Sequence, residues 1–204
     1  MPRVVDHELK RNDVAEATWR VIEKQGLHAA TVRAIAEEAG CSTGAIVHYF
    51  ENKDDLFIFS LRLATERFGK RIEKSGQGVS GHERLRRIFA DYLPLDDERA
   101  LEWHIWVAFL THAVNNPRLT QEQREWYEGF RNLLRDIIIE GQQSGAFRSD
   151  IDPMEEADTL IALMDGIGMH AIRAPRRFPP EYQKALMNRH LLLRFGTLGA
   201  DGDQ

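Results

Sequence analysis

A chain of 204 residues with 43% hydrophobic content can bury a substantial core, as one domain of ordinary size or two small ones. Its formal net charge of −5 argues against a general polyanion binder, so a nucleic-acid reader of this composition must gather its basic groups on one face. The single cysteine, Cys41, excludes an internal disulfide, no apolar run approaches the ~20 residues that cross a bilayer, and the first residues lack the sections of a secretory signal. A soluble protein of the reducing cytoplasm, without a membrane partner, is expected.

In chain order, Val14, Ala17, Thr18, Val21 and Ile22 recur at helical spacing and stop before Gly26, which suits the left-handed position after a helix end. Thr31 can cap a second helix with Ile35, Ala36 and Ala39 on its inner face, and Gly40 supplies its stop. Ser42 can cap a short third helix that turns Ile46, Tyr49 and Phe50 inward. The two patterns are separated by about four residues including a glycine, the connection expected of a helix-turn-helix. Asn52 opens a fourth helix. Asp54 and Asp55 lie in its first turn, where the positive end of the dipole favours them, and Arg67, Lys70, Arg71 and Lys74 load its far end.

The stretch Gly76-Gln77-Gly78-Val79-Ser80-Gly81 matches a dinucleotide-binding glycine pattern in form. That pattern carries meaning only between a strand and a helix, and here it follows a charged helix tail, so a flexible connector is expected. Beyond it, His82–Tyr92, Glu98–Val114, Thr120–Gln143, Pro153–Ile172 and Pro180–Arg194 carry apolar residues at three- and four-residue spacing. Asp152-Pro153-Met154-Glu155 is a strong helix start: a capping aspartate, a proline at the first position and a glutamate able to reach back. No segment alternates with period two. The chain is therefore expected to be all-α, with about nine helices.

Two runs carry a family resemblance. Thr31-Val32-Arg33-Ala34-Ile35-Ala36-Glu37-Glu38-Ala39-Gly40, followed by Ser42-Thr43-Gly44-Ala45-Ile46-Val47-His48-Tyr49-Phe50 and Asn52-Lys53-Asp54-Asp55-Leu56, resembles the N-terminal domain of the TetR family of transcriptional regulators. More loosely, Trp106-Val107-Ala108-Phe109, Asn116-Pro117 and Leu163-Met164-Asp165-Gly166 resemble the C-terminal domain of its BetI-like branch. The resemblance implies a helix-turn-helix DNA-binding domain at residues 1–52, a connecting helix at 53–74 and a ligand-binding and dimerisation domain at 75–204. It further implies a homodimer on a double-stranded, palindromic operator. A small molecule would release this repressor by favouring a conformation in which helix four has swung.

By position in the family, Thr43, Gly44, Ala45 and Val47 face bases or the groove floor, and their small size favours contact with thymine methyl groups. Arg33 matches a position that reads guanine, with a phosphate clamp as the alternative. Thr31, His48, Tyr49 and Lys53 match phosphate contacts; Tyr49 can instead be a core aromatic and Lys53 a solvated charge. Cys41 opens the reading element as a redox sensor or simply as a small hydrophobe.

The resemblance also implies a ligand pocket in the second domain, where bulky side chains concentrate. Trp103, Trp106, Phe109, Trp126, Phe130, Asp165 and Met169 are its candidates, with filling of the bundle core as the plainer reading of each. Glu102, Asp158 and Asp165 add negative charge, so a small hydrophobic or amphipathic ligand, including a cationic one held by cation–π attraction, is expected. Gly166, Gly168, Ala171 and Leu191, on the last two helices, are candidates for a dimer interface. Enzyme readings lack their chemistry: His104 and His112 come without HExxH, paired CxxC or a nucleophile elbow, and neither catalytic residues, metal nor cofactor are expected. The competing functional class is an all-α small-molecule binding protein without specific DNA binding.

Overall fold

The computed structural model describes residues 2–114 and 116–196, with side chains from His7 onward; the last residues of the second sequence domain, 197–204, lie outside the described residues. Among the described residues there are nine α-helices, one 3-10 turn and no strand. They are α1 (Pro2–Gln25), α2 (Val32–Glu38), α3 (Thr43–Tyr49), α4 (Lys53–Ser75), α5 (Gly81–Tyr92), α6 (Asp97–Ala113), α7 (Pro117–Gln143), α8 (Pro153–Arg173) and α9 (Pro180–Phe195).

The chain divides into two compact units, Met1–Arg67 with His104–Glu125, and Phe68–Trp103 with Trp126–Gln204. This grouping sets His104–Glu125 beside the N-terminal helices, whereas the division read from the sequence runs at residues 52 and 74.

In the first unit, α1 buries Val14, Ala17, Thr18, Val21 and Ile22 against Ile35 and Ala36 of α2 and Ile46 of α3. Thr18 satisfies its buried hydroxyl by donating to the Val14 carbonyl at 2.9 Å. Gly40, at φ +65°, turns the chain out of α2 in a conformation that costs a residue with a Cβ energy, and the Cys41 N–H closes the turn on the Ala36 carbonyl at 2.9 Å. Arg20 and Lys24 of α1 both bond Glu38 of α2, at 2.8 and 2.9 Å. The Lys24 and Arg20 hydrogen bonds hold that carboxyl below its usual range. Phe57 of α4 is fully buried, edge-on to Phe109 and His112 of α6, and Arg62 forms a two-pronged pair with Glu122 of α7.

In the second unit, α5, α8 and α9 pack through Leu85, Ile88, Phe89, Leu160, Met164, Met187 and Leu191. Asp152 caps α8 by accepting from the N–H groups of Met154 and Glu155 at 2.8 and 2.9 Å, so two orphan donors of the first turn are satisfied. Glu156 is fully buried between α8 and α9. Its carboxylate lies 3.0 Å from Nε2 of His190 and also accepts from Arg194. Burial pushes its pKa up, and the bonds from His190 and Arg194 outweigh that, leaving the group below its ordinary range. The Gly76–Ser80 segment is a turn between two helices, so the strand that a dinucleotide site needs is missing and the glycine pattern carries no such function.

Gly168 has a packing role. A Cβ there would stand 2.2 Å from the Trp103 ring, which is buried and tied by its indole N–H to the Tyr92 carbonyl at 2.6 Å. A Cβ on Gly129, on α7, would meet nothing within 4 Å. Gly168→Ala therefore lowers stability by about 1–3 kcal/mol through overpacking. Gly129→Ala raises it by about 0.5–1 kcal/mol through helix propensity. Urea denaturation followed by circular dichroism checks both signs.

Candidate DNA-contacting surface and ligand site

The recognition element is built from two caps and a shared core. Thr31 Oγ1 accepts from the Ala34 N–H at 3.2 Å, and Ser42 Oγ accepts from the Ala45 N–H at 3.1 Å, each fixing the first turn of a helix only seven residues long. Ile46 and Phe50 point into the core, which turns the opposite side of α3 outward. Thr43, Gly44 and His48 are exposed there, Ala45 is half-buried, and Val47 is 66% exposed. An isopropyl group left in water on a seven-residue helix gains from covering, and a thymine methyl is a chemically matched partner.

Arg33 is exposed on α2, with no hydrogen bond or ion pair among the described residues. Its fork is uncommitted, unlike those of Arg20, Arg62 and Arg67, which are bonded to Glu38, Glu122 and Glu16. Tyr49 is half-buried, with its ring edge-on to His48 at 5.4 Å between centroids and to His7 of α1 at 4.7 Å. Lys53 is folded back so that its ammonium lies 4.9 Å from the Phe57 centroid. Cys41 is half-buried with no partner thiol. His7 was not legible as part of this surface, because its approach to Tyr49 joins residues far apart in the chain.

The ligand candidates separate between the units. Trp106 and Phe109 belong to the first, where Phe109 is fully buried and its ring is taken up by packing on Phe57. Trp103, Trp126, Phe130, Asp165 and Met169 belong to the second. There Tyr92, Trp126 and Phe130 form a stack, with Tyr92 on Phe130 at 5.3 Å and 6° and Trp126 on Phe130 at 5.4 Å and 19°. Phe68 meets all three at 5.6–5.9 Å, and Trp103 meets Tyr92 edge-on at 5.5 Å. Asp165 accepts a 2.5 Å hydrogen bond from the Tyr92 hydroxyl, and Met169 is half-buried one turn further along α8.

Two of the three acids read as ligand charges are committed elsewhere. Glu102 takes a two-pronged bond from Arg71 at 2.6 and 2.9 Å, and Asp158 takes one from Arg131. Asp165 has no lysine or arginine partner among the described residues. Burial raises its pKa, with the Tyr92 hydrogen bond pulling the other way, and burial beside this carboxylate drives Tyr92 well above the usual phenol range. Tyr92 and Phe68 complete the cluster without having been singled out from the sequence: each reads there only as one more apolar position of its helix.

The four dimer candidates differ in exposure. Gly168, Ala171 and Leu191 are buried within the second unit, Gly168 directly beneath Trp103, so their packing lies inside the chain. Gly166 is exposed, and on α9 it is Tyr182, Leu192 and Leu193 that stand in solvent, Leu193 at 73%. Among the described residues no group of His, Cys, Asp and Glu could hold a metal ion, and no helix is long and apolar enough to cross a membrane.

Comparison with known proteins decides the family. Residues 14–58 match the family model of bacterial regulatory proteins of the tetR family, and residues 81–195 match that of the BetI-type transcriptional repressor C-terminal domain. The chain belongs to the TetR family. It is 33% identical to the HTH-type transcriptional regulator PksA of Bacillus subtilis (strain 168) over 94% of this chain and 92% of that protein. It is 30% identical to the HTH-type transcriptional regulator BetI of Escherichia coli (strain K12), covering 84% and 86%. A protein from Saccharomonospora viridis crystallised in complex with choline superimposes with a TM-score of 0.82 at 27% identity, over 89% of this chain and 94% of that one. As a TetR family member the chain is a DNA-binding transcriptional regulator. The TetR helix-turn-helix model spans the caps and core just described, and the BetI-type model spans α5 to α9.

Proposed function

We propose that this regulator is a homodimeric repressor that reads a palindromic operator with α2 and α3 and leaves it when a small organic cation of the quaternary ammonium class binds the second unit. Support for the reading surface comes from the uncommitted Arg33 guanidinium on α2 and the exposed, apolar Val47 on α3. Thr43, Gly44 and Ala45 allow close approach to base edges, and Thr31, His48, Tyr49 and Lys53 hold phosphates. Residues 1–52 act as the reading head, 53–74 as the connecting helix, and the remainder as the ligand and dimer domain.

The ligand class rests on one observation above the others: Asp165 is a half-buried carboxylate without a cationic partner, at the edge of a stack of electron-rich rings. Ring faces and a carboxylate together attract a permanent cation and offer little to an anion. The choline held by the Saccharomonospora viridis relative fits the same class. Trp103 and Met169 frame this cluster, while Trp106 and Phe109 belong to the first unit. Release follows from linkage: a hundredfold loss of operator affinity needs about 2.7 kcal/mol of preference of the ligand for the released state.

For the dimer, the outer face of α9 with Tyr182, Leu192 and Leu193, together with Gly166 on α8, takes the role first given to Gly168, Ala171 and Leu191. A two-fold axis through such a face sets two recognition helices roughly 34–36 Å apart, one turn of DNA. Leu193→Glu is expected to turn the dimer into monomer in light scattering at micromolar concentration, with helix content unchanged.

Selection of bound duplexes from a random pool tests the regulator reading, with an enriched palindrome as the expected result. On that palindrome, Arg33→Ala weakens binding by about 1–3 kcal/mol. Relaxed specificity at one base pair identifies guanine reading; a uniform loss with a shallower salt slope identifies a phosphate clamp. Choline titrated into the complex releases the operator. Because the cation needs ionised Asp165, its affinity holds above the raised pKa of that group and falls as pH drops through it, at higher pH than an ordinary aspartate would give. Asp165→Asn weakens release tenfold or more and flattens that pH dependence. Release by choline that is unaffected in Asp165→Asn would reject this site.

A further inference from the structure

Three exposed or half-buried rings meet where the N-terminal half of α1 passes the end of α3. His7 stands edge-on to Tyr49 at 4.7 Å and 72°, and to His48 at 6.2 Å and 69°, while His48 and Tyr49 are 5.4 Å apart. His7 and His48 are both solvent-exposed, on different helices. Ring contact of this kind fixes where the imidazole of His7 sits: beside the two side chains that hold phosphate in the reading above, on which this inference rests.

The charges around the pair favour an anion. On α1 the neighbours are Lys10 and Arg11. Lys10 lies 3.9 Å from Asp13, and the Arg11 guanidinium is 4.2 Å from the Phe59 centroid and 4.9 Å from that of Phe50. On α3 the facing groups are His48 and Tyr49, and at the start of α4 stand Lys53, over Phe57, and Asp55, which accepts from the Glu51 N–H. Asp6, Glu8 and Glu51 are the nearest carboxylates along the chain; the side chain of Asp6 lies outside the described residues, and neither Glu8 nor Glu51 pairs with His7 or His48 among them. Among the described residues neither imidazole has a carboxylate partner, and lysine and arginine stand nearby. A DNA phosphate supplies an anion.

We propose that His7 is a phosphate-contacting residue of the DNA-binding surface, and that with His48 it makes operator affinity proton-linked. Each ring is a donor through one nitrogen when neutral and through both when charged. A phosphate oxygen beside an imidazole favours its charged form. The sign follows. A group whose pKa rises on binding adds affinity that is fully present below its free pKa and is lost as pH climbs through its bound value. A rise of about one unit per ring strengthens binding about fivefold per histidine between pH 8 and pH 6. Each ring that becomes a cation at a phosphate also displaces a counterion, so the dependence of log affinity on log salt steepens by about 0.9 per histidine at the lower pH.

The test is fluorescence anisotropy of the full-length protein on the selected operator duplex and on a scrambled duplex, at pH 6 and pH 8 over a range of potassium chloride. The expected result is tighter binding and a steeper salt slope at pH 6. His7→Gln should lose about fivefold of the pH 6 gain and about 0.9 of the slope while binding as the parent does at pH 8; the double variant with His48→Gln should be nearly flat. Imidazole proton titrations by NMR give a second readout, with the His7 resonance titrating at higher pH when the operator is present. A His7→Gln profile superimposable on the parent's, or a His7 resonance that ignores DNA, overturns the proposal. Sequence preference combined with that result leaves the regulator reading standing. A pH gain that depends on His7 on both duplexes, without sequence preference, does the reverse.

Discussion

A helix of seven residues cannot sustain itself in water, because nucleation fixes several residues before enough hydrogen bonds repay the loss of conformational freedom. The reading surface is such a helix. Everything that makes α3 present and correctly turned comes from outside its own hydrogen bonds: the Ser42 cap at one end, the buried Ile46 and Phe50 on one face, and the α2 turn closed by Gly40 and Cys41. Because α1 supplies the floor on which both α2 and α3 rest, the face that carries Val47 is set by the buried core beneath it. The exposed face is consequently free to vary in chemistry, while the buried one is not.

The second unit solves a different problem. Many of its polar groups lie near apolar surface, and it pairs most of them with a partner from another helix: Arg71 with Glu102, Arg131 with Asp158, Glu156 with His190 and Arg194. Against that background Asp165 stands out. Its only described hydrogen-bond donor is a phenol that burial holds protonated, and burial raises the pKa of the carboxyl itself. A carboxylate buried without a cationic partner costs folding energy.

Local chemistry was legible in the sequence because it is decided within a few residues. Thr31, Ser42, Asn52 and Asp152 each cap the helix that their positions announce, and Gly26 and Gly40 end theirs. The glycine pattern at 76–81 was legible for the same reason: what precedes it settles what it can be. Pairing across the chain was not. Nothing near Glu102 or Asp158 tells that Arg71 and Arg131 take them, and small residues on α8 look alike until packing separates them. Gly168 is small because a tryptophan from another helix occupies its space, while Gly166, two residues away, faces out. The roles of Tyr92 and His7 were hidden likewise, since each depends on a ring contributed from a distant segment.

The buried Glu156 also bears on how the protein responds to heat. Charged groups lose hydration free energy as temperature rises, so the cost of keeping a carboxylate out of water diminishes, whereas the gain from apolar burial levels off. The α8–α9 pair, stitched by one carboxylate to two positions a helical turn apart on α9, therefore keeps its cohesion longer on warming than helices joined by caps and solvent-facing pairs. Warming therefore weakens this link between α8 and α9 less than it weakens contacts of purely apolar origin.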